Sequence, residues 1–248
     1  MNKKTKLSKK ILIISITIAT ILTILVSSFI IYTNDYYKAI PSLFITPEPI
    51  DSITVKEDSN NNIIYKSKDS NSKIGFIFYP GGKVDEKAYH NLAISCANYD
   101  ITTIIVSMPF NLAVFDINAS ENIINNHPEI EKWYIGGHSL GGSMAASYTS
   151  KHENKISGLI LLASYSTAEI KSLKTLSIYG SSDKILNLEK YEEYKPNLTN
   201  LNEHIIEGGN HANFGSYGIQ EGDGESSINP NQQISHTVNL IKEFIFNN

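Results

Sequence analysis

The 248-residue chain contains no arginine. Planar, bidentate clamps on phosphate or carboxylate groups are built mostly from guanidinium. Its absence points away from anionic substrates and towards neutral ones. There is a single cysteine, Cys96. One thiol cannot form a disulfide within the chain, and a zinc site built from several cysteines is excluded. Cys96 lies in the apolar stretch Leu92-Ala93-Ile94-Ser95-Cys96-Ala97, where a free cysteine is expected to act as a small buried hydrophobe. Basic clusters are missing beyond the first ten residues. Those ten hold five lysines (Lys3, Lys4, Lys6, Lys9 and Lys10) and no acid, which leaves 16 lysines against 25 acids, a balance of −9, in the remainder. An acidic body repels phosphate backbones, so no nucleic acid is expected as a partner. Charged residues make up 19% and hydrophobic residues 41%, which fits a folded domain and excludes a disordered chain.

What the chain does have is one long uncharged run, Ile11 to Tyr32. At about 1.5 Å per helical residue it spans roughly 33 Å, enough to cross a bilayer core. The lysine cluster before it is expected to stay cytoplasmic, which places residues 33 onward outside. A cleaved signal sequence is the competing reading. Its apolar core normally runs about 7–15 residues, and the small-residue candidate Val26-Ser27-Ser28 is followed here by more apolar residues. Both readings export the body, one as a single-pass membrane protein and the other as a secreted one. Residues 33–49 read as a tether: Pro41, Pro47 and Pro49 interrupt regular structure, and Tyr32, Tyr36 and Tyr37 suit the headgroup level. The expected organisation is a basic segment at 1–10, a membrane span at 11–32, a linker at 33–49 and one domain at 50–248.

From residue 50 the pattern alternates strands with helices. Residues 50–56 and 63–66 read as a hairpin around a turn at 58–62. Strands are expected at 74–79, 101–107, 132–135, 156–163, 175–179 and 203–206. Helices are expected at 85–98, 119–126, 143–151 and 231–246. Near-continuous apolar strands separated by helices imply a mostly parallel sheet with helices on both faces, an α/β fold. Reactive groups on such a sheet collect at the C-terminal ends of its strands.

Residues 135–142 read Ile-Gly-Gly-His-Ser-Leu-Gly-Gly. They contain Gly137-x-Ser139-x-Gly141, the pattern of a sharp strand-to-helix turn that projects a serine hydroxyl. Such a serine needs an imidazole base, and the imidazole needs a carboxylate. His211, in the glycine-rich loop after the last strand, and Asp183, in the Gly180-Ser181-Ser182-Asp183 loop after the preceding strand, both sit at strand ends. Asp116 is the alternative acid. His138 is expected to point away from the site, and His90, His127, His152, His204 and His236 read as structural or solvated. The oxyanion needs two backbone donors. The N–H of Leu140 is one. Pro80-Gly81-Gly82-Lys83 offers the other, with Gly82 favoured and Lys83 next.

Together, Phe78-Tyr79-Pro80-Gly81-Gly82-Lys83-Val84, Gly136-Gly137-His138-Ser139-Leu140-Gly141-Gly142, Tyr179-Gly180-Ser181-Ser182-Asp183 and Gly209-Asn210-His211-Ala212-Asn213-Phe214-Gly215 resemble the α/β-hydrolase superfamily. The resemblance runs from about Ile74 to the C-terminus. More narrowly, the chain is similar to a small bacterial subgroup related to dienelactone-hydrolase-like proteins, of which Tyr217-Gly218-Ile219-Gln220-Glu221-Gly222-Asp223-Gly224 also looks typical. Dienelactone hydrolases proper carry a cysteine nucleophile, whereas this elbow carries serine. The resemblance implies the α/β-hydrolase fold, with Ser139 as nucleophile, His211 as base, Asp183 as acid, and Gly82 and Leu140 as the oxyanion hole. No long insertion is present to form a lid, so an open, shallow site is expected, with 217–224 as a possible rim. The expected function is a membrane-anchored serine hydrolase cleaving a small-molecule ester, amide or thioester, with no cofactor and no metal. An acyltransferase on the same scaffold, or a non-catalytic exported binding module, are the alternatives. Substrate identity and oligomeric state are not encoded legibly.

Overall fold

The structure, a computed structural model, describes residues 3–45, 52–69 and 71–247, with the side chains of residues 3–8 left aside. It divides into two compact units, Met1–Tyr36 and Tyr37–Asn248. The first is a single helix, α1 (Lys3–Asn34). Its segment Lys9–Asn34, 26 residues with a mean hydropathy of 2.5, is long and apolar enough to cross a membrane; a signal sequence passes the same test. Three of its threonine hydroxyls pair with the helix backbone. Thr17, Thr20 and Thr23 donate to the carbonyls of Ile13, Ile16 and Ala19, each at 2.9 Å. That back-bonding satisfies a polar group inside an apolar helix.

The second unit is built on one eight-stranded sheet in the order β1-β2-β4-β3-β5-β6-β7-β8. The strands are β1 (Ile53–Glu57), β2 (Ile63–Ser67), β3 (Ile74–Tyr79), β4 (Thr102–Ile105), β5 (Lys132–His138), β6 (Gly158–Leu162), β7 (Ile170–Gly180) and β8 (Leu198–Ile206). β1 and β2 pair antiparallel, as do β2 and β4; every other pair is parallel. The helices are α2 (His90–Ala97), α3 (Ala119–Asn126), α4 (Leu140–Thr149), α5 (Leu188–Tyr194) and α6 (Pro230–Phe246).

Side chains of a strand alternate faces, and β3 shows what that does here. Phe76 and Phe78 enter a core with Leu92 of α2 and Ile241 of α6. Ile77 and Tyr79 enter a separate core with Ile123 of α3 and Ala145 of α4. Both faces of the sheet are therefore apolar and covered, which is why its strands read as unbroken hydrophobic runs.

Several expectations are corrected. Residues 37–45 are not a free tether. Tyr37 donates to the Lys83 carbonyl at 2.8 Å and accepts from Asp85 N–H at 2.9 Å, and Ile40 donates to Ser216 O at 2.8 Å. The extended peptide groups find partners on the body, so this stretch packs as part of it. Pro47 and Pro49 lie outside the described residues. The helix expected at 85–98 starts as a 3-10 turn, Glu86–Tyr89, capped by Asp85, before α2 begins. β5 runs on to His138, because Gly136 and Gly137 continue to pair with Phe78 and Tyr79 of β3. α5 was not expected: only Tyr191 of it is buried, so it carries no apolar period, and its start is marked by Asn187 accepting from Lys190 N–H.

Candidate active site

β5 ends at His138 and α4 starts at Leu140, so Ser139 is the whole turn between them. Its backbone is held at φ 51°, ψ −123°, a conformation that costs a non-glycine residue of order 1–3 kcal/mol and persists only where neighbours enforce it. They do so on both sides. Ser139 N–H donates to Leu162 O at 2.9 Å, and the Ser164 hydroxyl donates to Ser139 O at 2.7 Å. Gly141 makes the turn possible from below. A Cβ there would stand 2.2 Å from the carbonyl oxygens of both Tyr79 and Pro80. The first turn of α4 thus lies directly on the backbone that leads into the Pro80–Val84 turn.

Asp183 and His211 follow β7 and β8. His211 Nδ1 lies 2.8 Å from Asp183 Oδ2, and both side chains are almost fully buried. The carboxylate is fixed from its other oxygen, where Oδ1 accepts the N–H of Ile185 and of Leu186, each at 2.8 Å. A carboxylate on Nδ1 sets the tautomer that leaves Nε2 with its lone pair available. Ser139 and His211 line one cavity of about 240 Å³, together with Leu140, Ala163, Tyr165 and Leu186. Among the described residues the Ser139 hydroxyl makes no hydrogen bond, to His211 or elsewhere. In free enzymes such bonds are often long and tighten when substrate binds.

The two expected oxyanion donors are the N–H groups of Leu140 and Gly82. Leu140 is the first residue of α4, so its N–H has no acceptor within the helix. In the Pro80–Val84 turn, Gly81 N–H donates to the Tyr89 hydroxyl and Lys83 N–H to Asn111 O. Val84 N–H returns to Gly81 O, which leaves Gly82 with the open N–H and rules against Lys83. Gly82 abuts Leu140: a Cβ on it would lie 2.9 Å from the leucine Cδ2. Asp116, the alternative acid, is exposed and lines a different cavity with Asn60, Ser107 and Asn122. Cys96 is fully buried, and burial pushes its thiol up to about 12, so it is no nucleophile at neutral pH. Among the described residues no cluster of three or more histidines, cysteines or carboxylates could hold a metal.

A family model described as the alpha/beta hydrolase family matches residues 75–235. The chain belongs to that family. No curated protein matches it. Solved structures similar to this alpha/beta hydrolase include a predicted CIB-like hydrolase from Thermoplasma acidophilum, 17% identical with a TM-score of 0.54, which covers 77% of this chain and 99% of that one. Est1E from Butyrivibrio proteoclasticus with bound ferulic acid is 12% identical with a TM-score of 0.59, covering 79% of this chain and 97% of that one. Thermogutta terrifontis esterase 2 phosphoramylated by tabun is 12% identical with a TM-score of 0.58, covering 82% and 97%. At these identities the likeness is one of fold.

Three residues of this alpha/beta hydrolase went unnoticed or undervalued in the sequence. His138 does point away from the cavity, but it is not a bystander. Its Nδ1 is 2.8 Å from the Tyr89 hydroxyl, which also accepts from Gly81 N–H, so a buried chain of bonds links the elbow to the Pro80–Val84 turn. Its ring lies 4.5 Å from that of His211. Burial, and the nearby imidazole of His211, hold His138 well below the ordinary histidine range, so it stays neutral. Tyr89 carried no chemical signal in the sequence; its role comes from folding against His138. Gln233, on α6, is fully buried. Its amide brackets the peptide before His211, with Oε1 accepting from Asn210 N–H at 3.0 Å and Nε2 donating to Asn210 O at 2.7 Å. A glutamine at a core-facing position of an amphipathic helix was the available clue.

Proposed function

We propose that this chain is a membrane-anchored, extracytoplasmic serine hydrolase that cleaves neutral carboxylic esters of small molecules. The observation that carries the reading is the buried Asp183–His211 pair, whose histidine lines the same cavity as Ser139 and Leu140, with Gly82 packed against Leu140. Among the described residues no lysine or carboxylate side chain lines the cavity, and the chain has no arginine; both favour an uncharged substrate. The similar esterase folds, one with ferulic acid bound and one phosphoramylated by tabun, agree with ester chemistry at such a site.

In this reading Ser139 Oγ attacks the ester carbonyl while His211 Nε2 takes its proton. The carbonyl π pair moves to oxygen, and the oxyanion accepts from Gly82 and Leu140 N–H, each donor contributing roughly 3 kcal/mol in the transition state. Collapse breaks the bond to the alcohol, which leaves with the proton from His211. Water then enters, gives its proton to His211 and attacks the acyl-enzyme; the acid departs and Ser139 is restored. Asp183 stabilises the imidazolium in each half and keeps its own charge.

The test is Ser139→Ala. It is expected to abolish hydrolysis of p-nitrophenyl acetate and labelling by a fluorophosphonate probe, while circular dichroism and Tm stay those of the parent. Equal turnover by variant and parent would remove the proposal.

A further inference from the structure

The loop Tyr217–Gly224 neither enters the cavity lining around Ser139 nor belongs to any helix or strand. One of its two carboxylates, Asp223, is nonetheless bonded to both loops that carry the proposed acid and base. Oδ2 accepts from Ala212 N–H at 2.9 Å, the residue after His211. Oδ1 accepts from Lys184 N–H at 3.3 Å, the residue after Asp183, and from Gly224 N–H at 2.7 Å. The next residue tightens the same join. Asn210, the residue before His211, donates its amide to Gly224 O at 2.9 Å. A Cβ on Gly224 would lie 1.8 Å from Ser182 O, so only glycine lets the loop lie this close to the residue before Asp183.

We infer that Asp223 is a positioning residue: one carboxylate clasps the β7 and β8 loops together and thereby sets the Asp183–His211 hydrogen bond. The inference rests on the Ser139–His211–Asp183 reading. Its physical basis is that the two loops come from different strands, through the sequences Gly180-Ser181-Ser182 and Gly208-Gly209-Asn210. Direct bonds join the loops near their bases, where Ser181 N–H donates to Ile206 O at 3.0 Å, Ser182 N–H to Gly209 O at 2.8 Å and Gly208 N–H to the Ser181 hydroxyl at 2.8 Å; past these, among the described residues, Asp223 bridges Lys184 to Ala212 on either side of the Asp183–His211 bond itself. A carboxylate has acceptors on both oxygens, and both are used. An amide cannot replace it. In whichever orientation the side chain of Asp223→Asn sits, its NH2 faces a backbone N–H, either that of Ala212 or those of Lys184 and Gly224.

The experiment compares the full-length parent, Asp223→Asn and Ser139→Ala with p-nitrophenyl acetate. Turnover is counted per site that takes up a fluorophosphonate label. Asp223→Asn is expected to lower kcat about 10- to 100-fold, the cost of a misplacement of around an ångström, with KM within about threefold. The far-downfield proton resonance of an imidazole N–H bonded to a carboxylate is expected in the parent and to be lost in the variant. A role in folding alone would reduce the number of labelled sites but leave kcat per site and the resonance unchanged, and that result overturns the inference. A parent that neither hydrolyses nor labels, like Ser139→Ala, refutes the triad reading instead. Should Asp223→Asn not fold, amide exchange in the parent decides. The Ala212 and Lys184 amides are expected to exchange slowly and at a common rate, far slower than Ile219, which is 94% exposed. Exchange of either at the rate of Ile219 overturns the clasp.

Discussion

Gly141→Ala offers a direct test of how the elbow and the Pro80–Val84 turn are joined in the proposed site. The added methyl carbon would lie 2.2 Å from Tyr79 O and 2.2 Å from Pro80 O, more than 1 Å inside the roughly 3.5 Å at which such atoms rest. Both obstacles are backbone, so no side chain can rotate away. Either α4 lifts off, carrying Ser139 and Leu140, or the Pro80–Val84 turn recedes, carrying Gly82. In the proposed site, each route separates Ser139 from the Gly82 N–H by about an ångström. Such a shift costs on the order of 100-fold in rate, and losing a donor costs a similar factor. Overpacking also costs stability, about 1–3 kcal/mol. The control is Gly75→Ala, where the methyl would meet the Trp133 ring at 2.3 Å. Gly75 is near the start of β3, four residues and about 13 Å from Tyr79. The two variants are expected to lose comparable stability in urea, while only Gly141→Ala loses kcat on p-nitrophenyl acetate. Equal kcat loss in both, per folded molecule, would show that the activity follows global stability and would refute the argument from local contact.

Burial holds His138 well below its ordinary value of 6.5. The unfolded chain therefore binds a proton that the folded one refuses. Stability is complete above about pH 6.5 and falls as pH drops below it, by about 1.4 kcal/mol at pH 5.5 for this one group. His138→Gln is expected to show a shallower fall of the urea midpoint between about pH 7.5 and about pH 5.5; parallel curves for parent and variant would contradict this. His90, lowered by burial too, is common to both and cancels. The full chain is expected to stay with membranes through high-salt and carbonate washes, and a chain lacking residues 1–34 to become soluble. Recovery of a shortened, soluble form from cells making the full chain would replace the anchor with a cleaved leader.

The alternation of apolar strands with helices made the parallel sheet legible, because a sheet buried on both faces leaves no polar alternation along its strands. The elbow was legible because its chemistry sits within eight consecutive residues. The pairing of Asp183 with His211 was foreshadowed by a weaker route, since each falls in a glycine- or serine-rich loop directly after an apolar strand. The tyrosine-rich stretch after the helix was misread. Prolines signal only that regular structure stops, and they do not tell a tether from a strap held down by Lys83 and Ser216.

The amino-acid order by itself settled the local matters: which segments are strands, where the turn carrying Ser139 falls, and how long an apolar run is available for a bilayer. Those follow from periodicity and from backbone preferences that act over a few residues. Only the tertiary structure decided which N–H of Pro80–Val84 stays open, that Asp116 lines another cavity, and that Tyr89 bonds His138, Gln233 bonds Asn210 and Asp223 bonds Lys184 and Ala212. Each of those depends on partners tens of residues away, and a hydrogen bond reaches no further than about 3 Å. Their meaning arises when the chain closes on itself.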